Sequence, residues 1–264
     1  MKIVNQISRV SFIGSGNVAT ALGLAFNIAG IKVDEVYSPN ENNAKSLANK
    51  LKCGWVKNIE NLNTNSDLYI IAIPDQKIID IKKYLPKING IFAHTSGSQS
   101  IDVLNINRNK YGVFYPLQTF SKSREVEFTN IPVCIEGSDE TTTNLLIDLA
   151  KKISNNVVML NSEQRQYLHL TAVTVNNFSN LMYNLAHDVL IEKEIDFSLL
   201  LPLIQETALK VHIINPSEAQ TGPARRNDKS TINKHLELLN NYPDYKEVYR
   251  LLSNQLIRKY HDKL

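Results

Sequence analysis

Three things are scarce in this 264-residue chain, and each scarcity excludes a class of protein. Cysteine occurs only as Cys53 and Cys134, far apart and without the clustering of a zinc site or a disulfide framework, which points to a reducing compartment. His94, His187, His212 and His235 likewise lack ligand-like spacing to carboxylates or cysteines, so no metal is expected. No apolar run approaches the roughly 20 residues that span a bilayer, and the stretch up to Ile13 holds no signal-type apolar block. A soluble, cytoplasmic protein with no membrane partner is therefore expected. Surplus charge is also small: 29 Lys and Arg against 26 Asp and Glu, scattered along the chain, leave a net +3 and little support for a nucleic-acid groove. Apolar residues at 43% and charged residues at 21% suit a folded core and exclude intrinsic disorder.

Glycine is scarce in one half only. Nine of the ten glycines fall within the first 140 residues, and Gly222 alone comes later. Glycine marks tight turns between short strands and helices, so the chain reads as a turn-rich front and a helical back. At roughly 100–200 residues per domain, this predicts two domains, 1–160 and 161–264. The boundary falls near Asn161, whose spacing to Gln164 fits a helix N-cap with a capping-box partner.

In the front half short apolar segments alternate with helical ones, the mark of an α/β fold with a mostly parallel sheet and helices on its faces. Strands are expected at 10–13, 33–37, near Trp55, and at 68–73, 91–94, 112–115, 132–136 and 157–160. Helices are expected after the first strand with Gly30 as cap, over 42–52, through Ile78 and Ile81, and over 141–153. In the back half nothing interrupts the helical pattern from Glu163 to about Ile191, which predicts one helix roughly 40 Å long. At about 100° per residue, Leu170, Val175, Phe178, Leu181, Met182, Leu185 and Val189 share an apolar face. His169, Asn176, Asn180, Asn184 and His187 form a polar stripe on the other side. Further helices are expected at 198–214, 231–239 and 245–260, with a loop at 215–229.

Gly14-Ser15-Gly16-Asn17-Val18-Ala19 follows the first strand and opens the first helix. G-x-G-x-x-A in that position lets a dinucleotide's pyrophosphate sit on backbone N–H groups at a helix N-terminus. Gly14 makes the turn, Gly16 removes the side chain that would block the phosphates, and Ala19 allows close packing of helix on strand. Residues Gly14, Ser15, Gly16, Asn17 and Val18 are thus candidates for binding an NAD(P) cofactor. The cofactor's 2′ group should meet the end of the second strand, where an acidic residue signals NAD. Ser38 and Asn40 stand there instead, a hydroxyl and an amide without a carboxylate, which favours NADP over NAD although no arginine is present to clamp a phosphate. Ala72, Pro74 and Asp75 lie at the next strand end, where the nicotinamide passes, although a turn with a helix cap explains Pro74-Asp75 equally well. Ser96, with Thr95 and Ser98 around Gly97, offers hydroxyls and backbone donors either to a ligand or to its own loop.

The segments Gly14 to Ala19, His94-Thr-Ser-Gly-Ser98, Gly112 to Ser121 and Ala219 to Asp228 together resemble a bacterial family named as NADP oxidoreductases. In that family a Rossmann-like N-terminal domain precedes a helical C-terminal domain of unknown function, and the resemblance covers essentially the whole chain. The first domain is similar to those of deazaflavin-coenzyme-dependent NADP oxidoreductases, pyrroline-5-carboxylate reductases and ketopantoate reductases. The helical half resembles the C-terminal domain of 6-phosphogluconate dehydrogenase, through which relatives often dimerise. The resemblance implies hydride transfer between NADPH and a small carbonyl or imine substrate, or a deazaflavin, in a homodimer, without naming the substrate. In the ketopantoate and hydroxyacid relatives the first long helix after the nucleotide domain carries a catalytic lysine with asparagines at four-residue steps. That register puts His169 at the lysine, Val173 at the first asparagine and Asn177 at the second, with Asn176 competing for the last place. A histidine can still donate a proton to a reducing carbonyl or imine, so His169 and Asn177 are the catalytic candidates. The missing lysine and asparagine motivate the alternative of a catalytically inactive NAD(P)-binding sensor or scaffold.

Arg225 and Arg226, after Thr221-Gly222-Pro223, are candidates with Asn176 for gripping a substrate carboxylate or phosphate, because guanidinium makes bidentate pairs; surface arginines explain them equally. Tyr115, before Pro116, could place a phenol near the cleft, although a core tyrosine with a satisfied hydroxyl is the commoner arrangement.

Overall fold

The apolar segments of the front half pair into one eight-stranded sheet in the computed structural model, which describes residues 6–81, 83–86, 88–105 and 110–261. The strands are β1 (Arg9–Ile13), β2 (Lys32–Tyr37), β3 (Gly54–Val56), β4 (Leu68–Ile71), β5 (Ile91–His94), β6 (Tyr111–Pro116), β7 (Val133–Gly137) and β8 (Val157–Met159). Their order is β3-β2-β1-β4-β5-β6-β7-β8, and every pairing is parallel except β6 with β7. The fold is the expected mostly parallel α/β sheet followed by helices.

Both faces of the sheet are covered, which is why β4 is apolar at every position. Leu68 and Ile70 join Phe12, Phe26 and Phe114 in one core, under α1 (Asn17–Ile28), α2 (Glu41–Leu51) and α4 (Glu140–Ala150). Tyr69 and Ile71 turn the other way to join Ile13, Phe92 and Ile78 beneath α3 (Asp75–Ile81). Full burial of each such side chain stabilises the fold by about 1.5–3 kcal/mol. Gly30, at φ 73°, ends α1 as the sequence indicates, with its N–H donating to the Asn27 carbonyl.

α5 (Ser162–Ala172) opens with both halves of the capping box between Asn161 and Gln164. The helix expected to run unbroken over 163–191 is interrupted. Val173–Phe178 is π-helical, and α6 (Ser179–Glu192) resumes after it. The hydroxyls of Thr171 and Thr174 bond back to the carbonyls of Leu168 and Leu170, and three β-branched residues, Val173, Thr174 and Val175, crowd the same turn. Both effects loosen α-helical geometry. Each π turn holds about one residue more than an α turn, so the uniform step behind the stripe from His169 to His187 does not run through this stretch. The chain forms two compact units, one up to Asn177 and one from Phe178, so α5 packs with the sheet.

The second unit contains α6, a 3-10 turn Phe197–Leu200, α7 (Leu201–Lys210), α8 (Pro216–Ala219), a 3-10 turn Ala224–Arg226, α9 (Lys229–Leu238) and α10 (Pro243–His261). α7 stops short of the expected residue 214, because β-branched Val211, Ile213 and Ile214 lead into Asn215-Pro216, and the residue before a proline avoids helical geometry. Among the described residues of this unit only Ala224, Ile232, Leu239 and Ser253 are buried, while Leu199, Leu203, Ile213 and Leu238 are each more than 60% exposed. Among the described residues no helix is long and apolar enough to cross a membrane.

Candidate active site

Gly14 leaves β1 at φ 119°, and a Cβ there would stand 2.1 Å from the Ala72 carbonyl oxygen, so only glycine lets the end of β1 pass the end of β4. Its N–H donates to the Tyr37 carbonyl at 2.8 Å. A Cβ on Gly16 would meet nothing within 4 Å. Gly16 is the N-cap of α1, which has neither a side-chain cap nor an acidic residue in its first turn, and the first bond back is Thr20 N–H to the Gly16 carbonyl at 3.0 Å. The N–H groups of that turn have no partner inside the helix. An open cradle of backbone donors at a helix N-terminus fits an anionic pyrophosphate. Around it, Ser15 is buried, Val18 packs against the core, and the Asn17 side chain donates to the Phe120 carbonyl at 2.8 Å.

At the end of β2, Ser38 is buried, and the Asn40 side chain accepts from Asn43 N–H at 3.1 Å, so it serves as the N-cap of α2. Two lysines flank the carboxylate of Glu41, the first residue of α2. Lys45 Nζ lies 2.6 Å from one Glu41 carboxylate oxygen and 4.8 Å over the Trp55 ring, and Lys57 Nζ lies 3.7 Å from the other oxygen. Glu41–Lys45 is an i,i+4 pair legible in the sequence. Lys57 becomes a neighbour only through the register that sets Val56 beside Tyr37. A cavity of about 270 Å³ adjoins it, lined by Tyr37, Lys57, Asn58, Ile59 and Tyr84 among others.

At the ends of β4 and β5 the candidate residues are tied to one another. Asp75, the first residue of α3 after Pro74, accepts from the Ser98 hydroxyl at 2.5 Å. The Ser96 hydroxyl oxygen accepts from Ser98 and Gln99 N–H groups, each at 3.1 Å, and Ser96 N–H donates to His94 Nδ1 at 3.2 Å. Ser96 therefore caps its own loop, the second of its two readings. His94 is buried, and that burial, with the Arg165 charge nearby, pushes its pKa down to about 4.

Arg165, which is not among the candidates named from the sequence, joins the 96–99 loop to α5. This fully buried guanidinium on α5 donates to the Ser96 carbonyl at 3.2 Å, to the Gln99 carbonyl, to Ser162 Oγ at 3.2 Å and to the Glu136 carboxylate at the end of β7. Ser162 in turn donates to Glu136 through its N–H at 3.0 Å and its hydroxyl at 2.9 Å. Nothing in the sequence pattern marks Arg165 as buried, because apart from Ser162 its partners come from two distant segments, the 96–99 loop and the end of β7.

One turn further along α5, His169 Nδ1 lies 3.1 Å from the Tyr115 hydroxyl, and the rings meet edge to face with centroids 6.1 Å apart. Tyr115, expected as an ordinary core tyrosine, is thus the partner of the candidate acid. Burial pushes its hydroxyl up to about 12. Asn176 and Asn177 are exposed in the π-helical stretch, where the amide of Asn176 donates to Asn177 Oδ1 at 3.5 Å. Among the hydrogen bonds of the described residues neither reaches His169. In the second unit Arg225 stacks 4.1 Å over the Tyr260 ring and its carbonyl bonds the His261 ring at 2.9 Å, while Arg226 is exposed.

A Rossmann-like domain matches residues 2–114, and a domain of unknown function, DUF2520, matches residues 131–256. The chain is similar to the "putative NADP oxidoreductase BF3122 from Bacteroides fragilis", with 38% identity over 96% of this chain and 98% of that one and a TM-score of 0.91. It is similar in fold to the 1-pyrroline-5-carboxylate reductase of Streptococcus pyogenes, at 13% identity, TM-score 0.62, and 94% and 98% coverage. The reductive aminase of Aspergillus terreus, solved with NADPH and ethyl-5-oxohexanoate, shares the fold at 13% identity, TM-score 0.65, and 98% and 95% coverage. No curated protein sequence matches the chain.

Proposed function

The chain belongs to the family of BF3122, in which a Rossmann-like domain precedes a DUF2520 domain, and we propose that it is an NADPH-dependent reductase of a small carbonyl or imine. The observation that carries this reading is the cradle at Gly14–Gly16, where one glycine clears a backbone oxygen and the other opens the helix N-terminus. Gly14 to Val18 hold the pyrophosphate, and Ser38 with Lys45 and Lys57 receives the 2′-phosphate. The backbone of Ala72 to Asp75 and the Ser96 loop border the nicotinamide. NADPH, when bound, supplies the hydride. His169 gives one proton to the carbonyl oxygen or imine nitrogen, so the substrate gains a hydride and a proton together. Asn176 and Asn177, exposed in the π-helical stretch that follows α5, are the polar groups proposed to contact the substrate.

A second copy of the chain is the proposed partner. Among its described residues the helical unit buries only four, and a two-fold pairing would cover the same apolar faces on both copies at once.

Calorimetric titration with NADPH and NADH tests the reading, with tighter binding of NADPH as the expected result. Absence of heat with either nucleotide would sink it. NADPH that binds but is not oxidised across a panel of keto acids, imines and a deazaflavin would favour the sensor reading, which the histidine in place of a lysine motivates.

A further inference from the structure

Resting on His169 as the proton donor, we propose that Tyr115 is a positioning residue that occupies Nδ1 of His169, so that the proton exchanged with the substrate is the one on Nε2. The Tyr115 hydroxyl lies 3.1 Å from Nδ1, and the two rings cross at 75°. Gly97 presses on the same edge of the imidazole: a Cβ there would stand 2.6 Å from both Cγ and Nδ1. The Gly97 loop is itself fixed, because Arg165 binds the carbonyls of Ser96 and Gln99 while Asp75 holds the Ser98 hydroxyl. Arg165 and His169 share α5. One buried guanidinium thus fixes both the helix that carries the histidine and the loop that presses on it. Nε2 is the ring nitrogen that the hydrogen bonds of the described residues leave open.

A phenol suits this position because its hydroxyl both donates and accepts. While the ring is neutral, the phenol donates to Nδ1, since the hydrogen bonds of the described residues offer its proton no other acceptor, and the ring proton rests on Nε2. In the imidazolium, Nδ1–H donates to the phenol oxygen instead. When the imidazolium gives its Nε2 proton to the substrate's oxygen or nitrogen, the ring is left momentarily as the Nδ1–H tautomer on the phenol; a solvent proton taken up at Nε2 restores the imidazolium, and loss of its Nδ1 proton to solvent lets the phenol donate again. Tyr115 carries no charge at any stage. Burial and the neighbouring Cys134 and Asp75 keep the hydroxyl protonated against the pull of Arg165. A carboxylate in its place would favour the charged ring and hold back its proton.

Nitrogen-15 NMR of histidine-labelled protein reads the ring without turnover. The neutral His169 of the wild type is expected to carry its proton on Nε2 with Nδ1 as a hydrogen-bonded acceptor, and Tyr115→Phe is expected to shift the Nδ1 resonance. In turnover, Tyr115→Phe should lower kcat at least tenfold and alter its pH profile, with KM and NADPH affinity unchanged. A proton on Nδ1 in the neutral wild-type ring, or a Tyr115→Phe spectrum identical to wild type, overturns the proposal. Should Tyr115→Phe not fold, Gly97→Ala displaces the ring and must produce the same Nδ1 shift. If no substrate turns over, the reading of His169 as donor fails, while the Nδ1 resonance still decides whether Tyr115 holds the ring.

Discussion

Gly14 and Gly16 look equivalent in the sequence and differ in physics. Gly14 has a left-handed backbone and a carbonyl oxygen where its Cβ would go, whereas Gly16 has neither. Gly14→Ala is therefore expected to destabilise the fold, by about 1–3 kcal/mol from backbone strain alone and more from the clash, read as a lower urea midpoint. Gly16→Val, a poorer N-cap without a clash, should lower that midpoint far less than Gly14→Ala does and weaken NADPH at least tenfold, or about 1.4 kcal/mol, by calorimetry. Equal loss of stability in both would make the turn purely structural. The motif was legible because its meaning is local: strand, turn and helix lie within a dozen residues. Tyr115 and Arg165 were not, because what distinguishes them from ordinary core and surface residues is a partner at a separation of 54 residues in one case and 29 in the other. Ser96 and Asn40 show the converse. Their side-chain oxygens, which the sequence offers to a ligand, accept local N–H groups in the single chain.

The elements around the site are held by a few buried polar contacts as much as by apolar packing. Glu136→Ala leaves the Arg165 guanidinium buried without its carboxylate, which typically costs about 3–5 kcal/mol, and thermal unfolding should show it. The end of β5 adds a pH dependence. Burial holds His94 neutral with a pKa near 4 in the folded chain, against roughly 6.5 unfolded. Between those values the unfolded chain binds the extra proton, so stability is full above about pH 6.5 and falls as pH drops toward 4, by on the order of 3 kcal/mol. Urea denaturation across that window should lose most of its slope in His94→Asn; an unaltered slope would assign the acid sensitivity elsewhere. Strand positions were read to within one or two residues because burial on both faces leaves continuous apolar runs. The π-helical stretch escaped because periodicity counts apolar positions at a fixed step and does not register hydroxyls bonding back to carbonyls, as Thr171 and Thr174 do.

At the scale of the whole molecule the uneven glycines separated a sheet half from a helical half, and the structure shows how unequal their cores are. The sheet carries two buried clusters, while the unit from Phe178 onward buries four of its described residues. The π-helical stretch breaks the single apolar face expected along 170–189, and within the second unit Phe178, Leu181, Leu199, Leu203 and Ile213 stand exposed in the single chain. A soluble monomer rarely leaves so much apolar surface in water. If a second copy covers it, folding and association are one equilibrium, and stability must depend on protein concentration. Sedimentation should then give a mass twice the 29.8 kDa of one chain, with a melting temperature that rises as the protein is concentrated. Leu203→Glu combined with Ile213→Glu, at positions 62% and 85% exposed, would cost a monomer almost nothing. In a dimer sealed through these helices, the same pair of charges is buried without partners and should halve the sedimenting mass. A wild type that sediments at the mass of one chain at every concentration, or a double variant that keeps the doubled mass, would show that these helices pair with something other than a second copy.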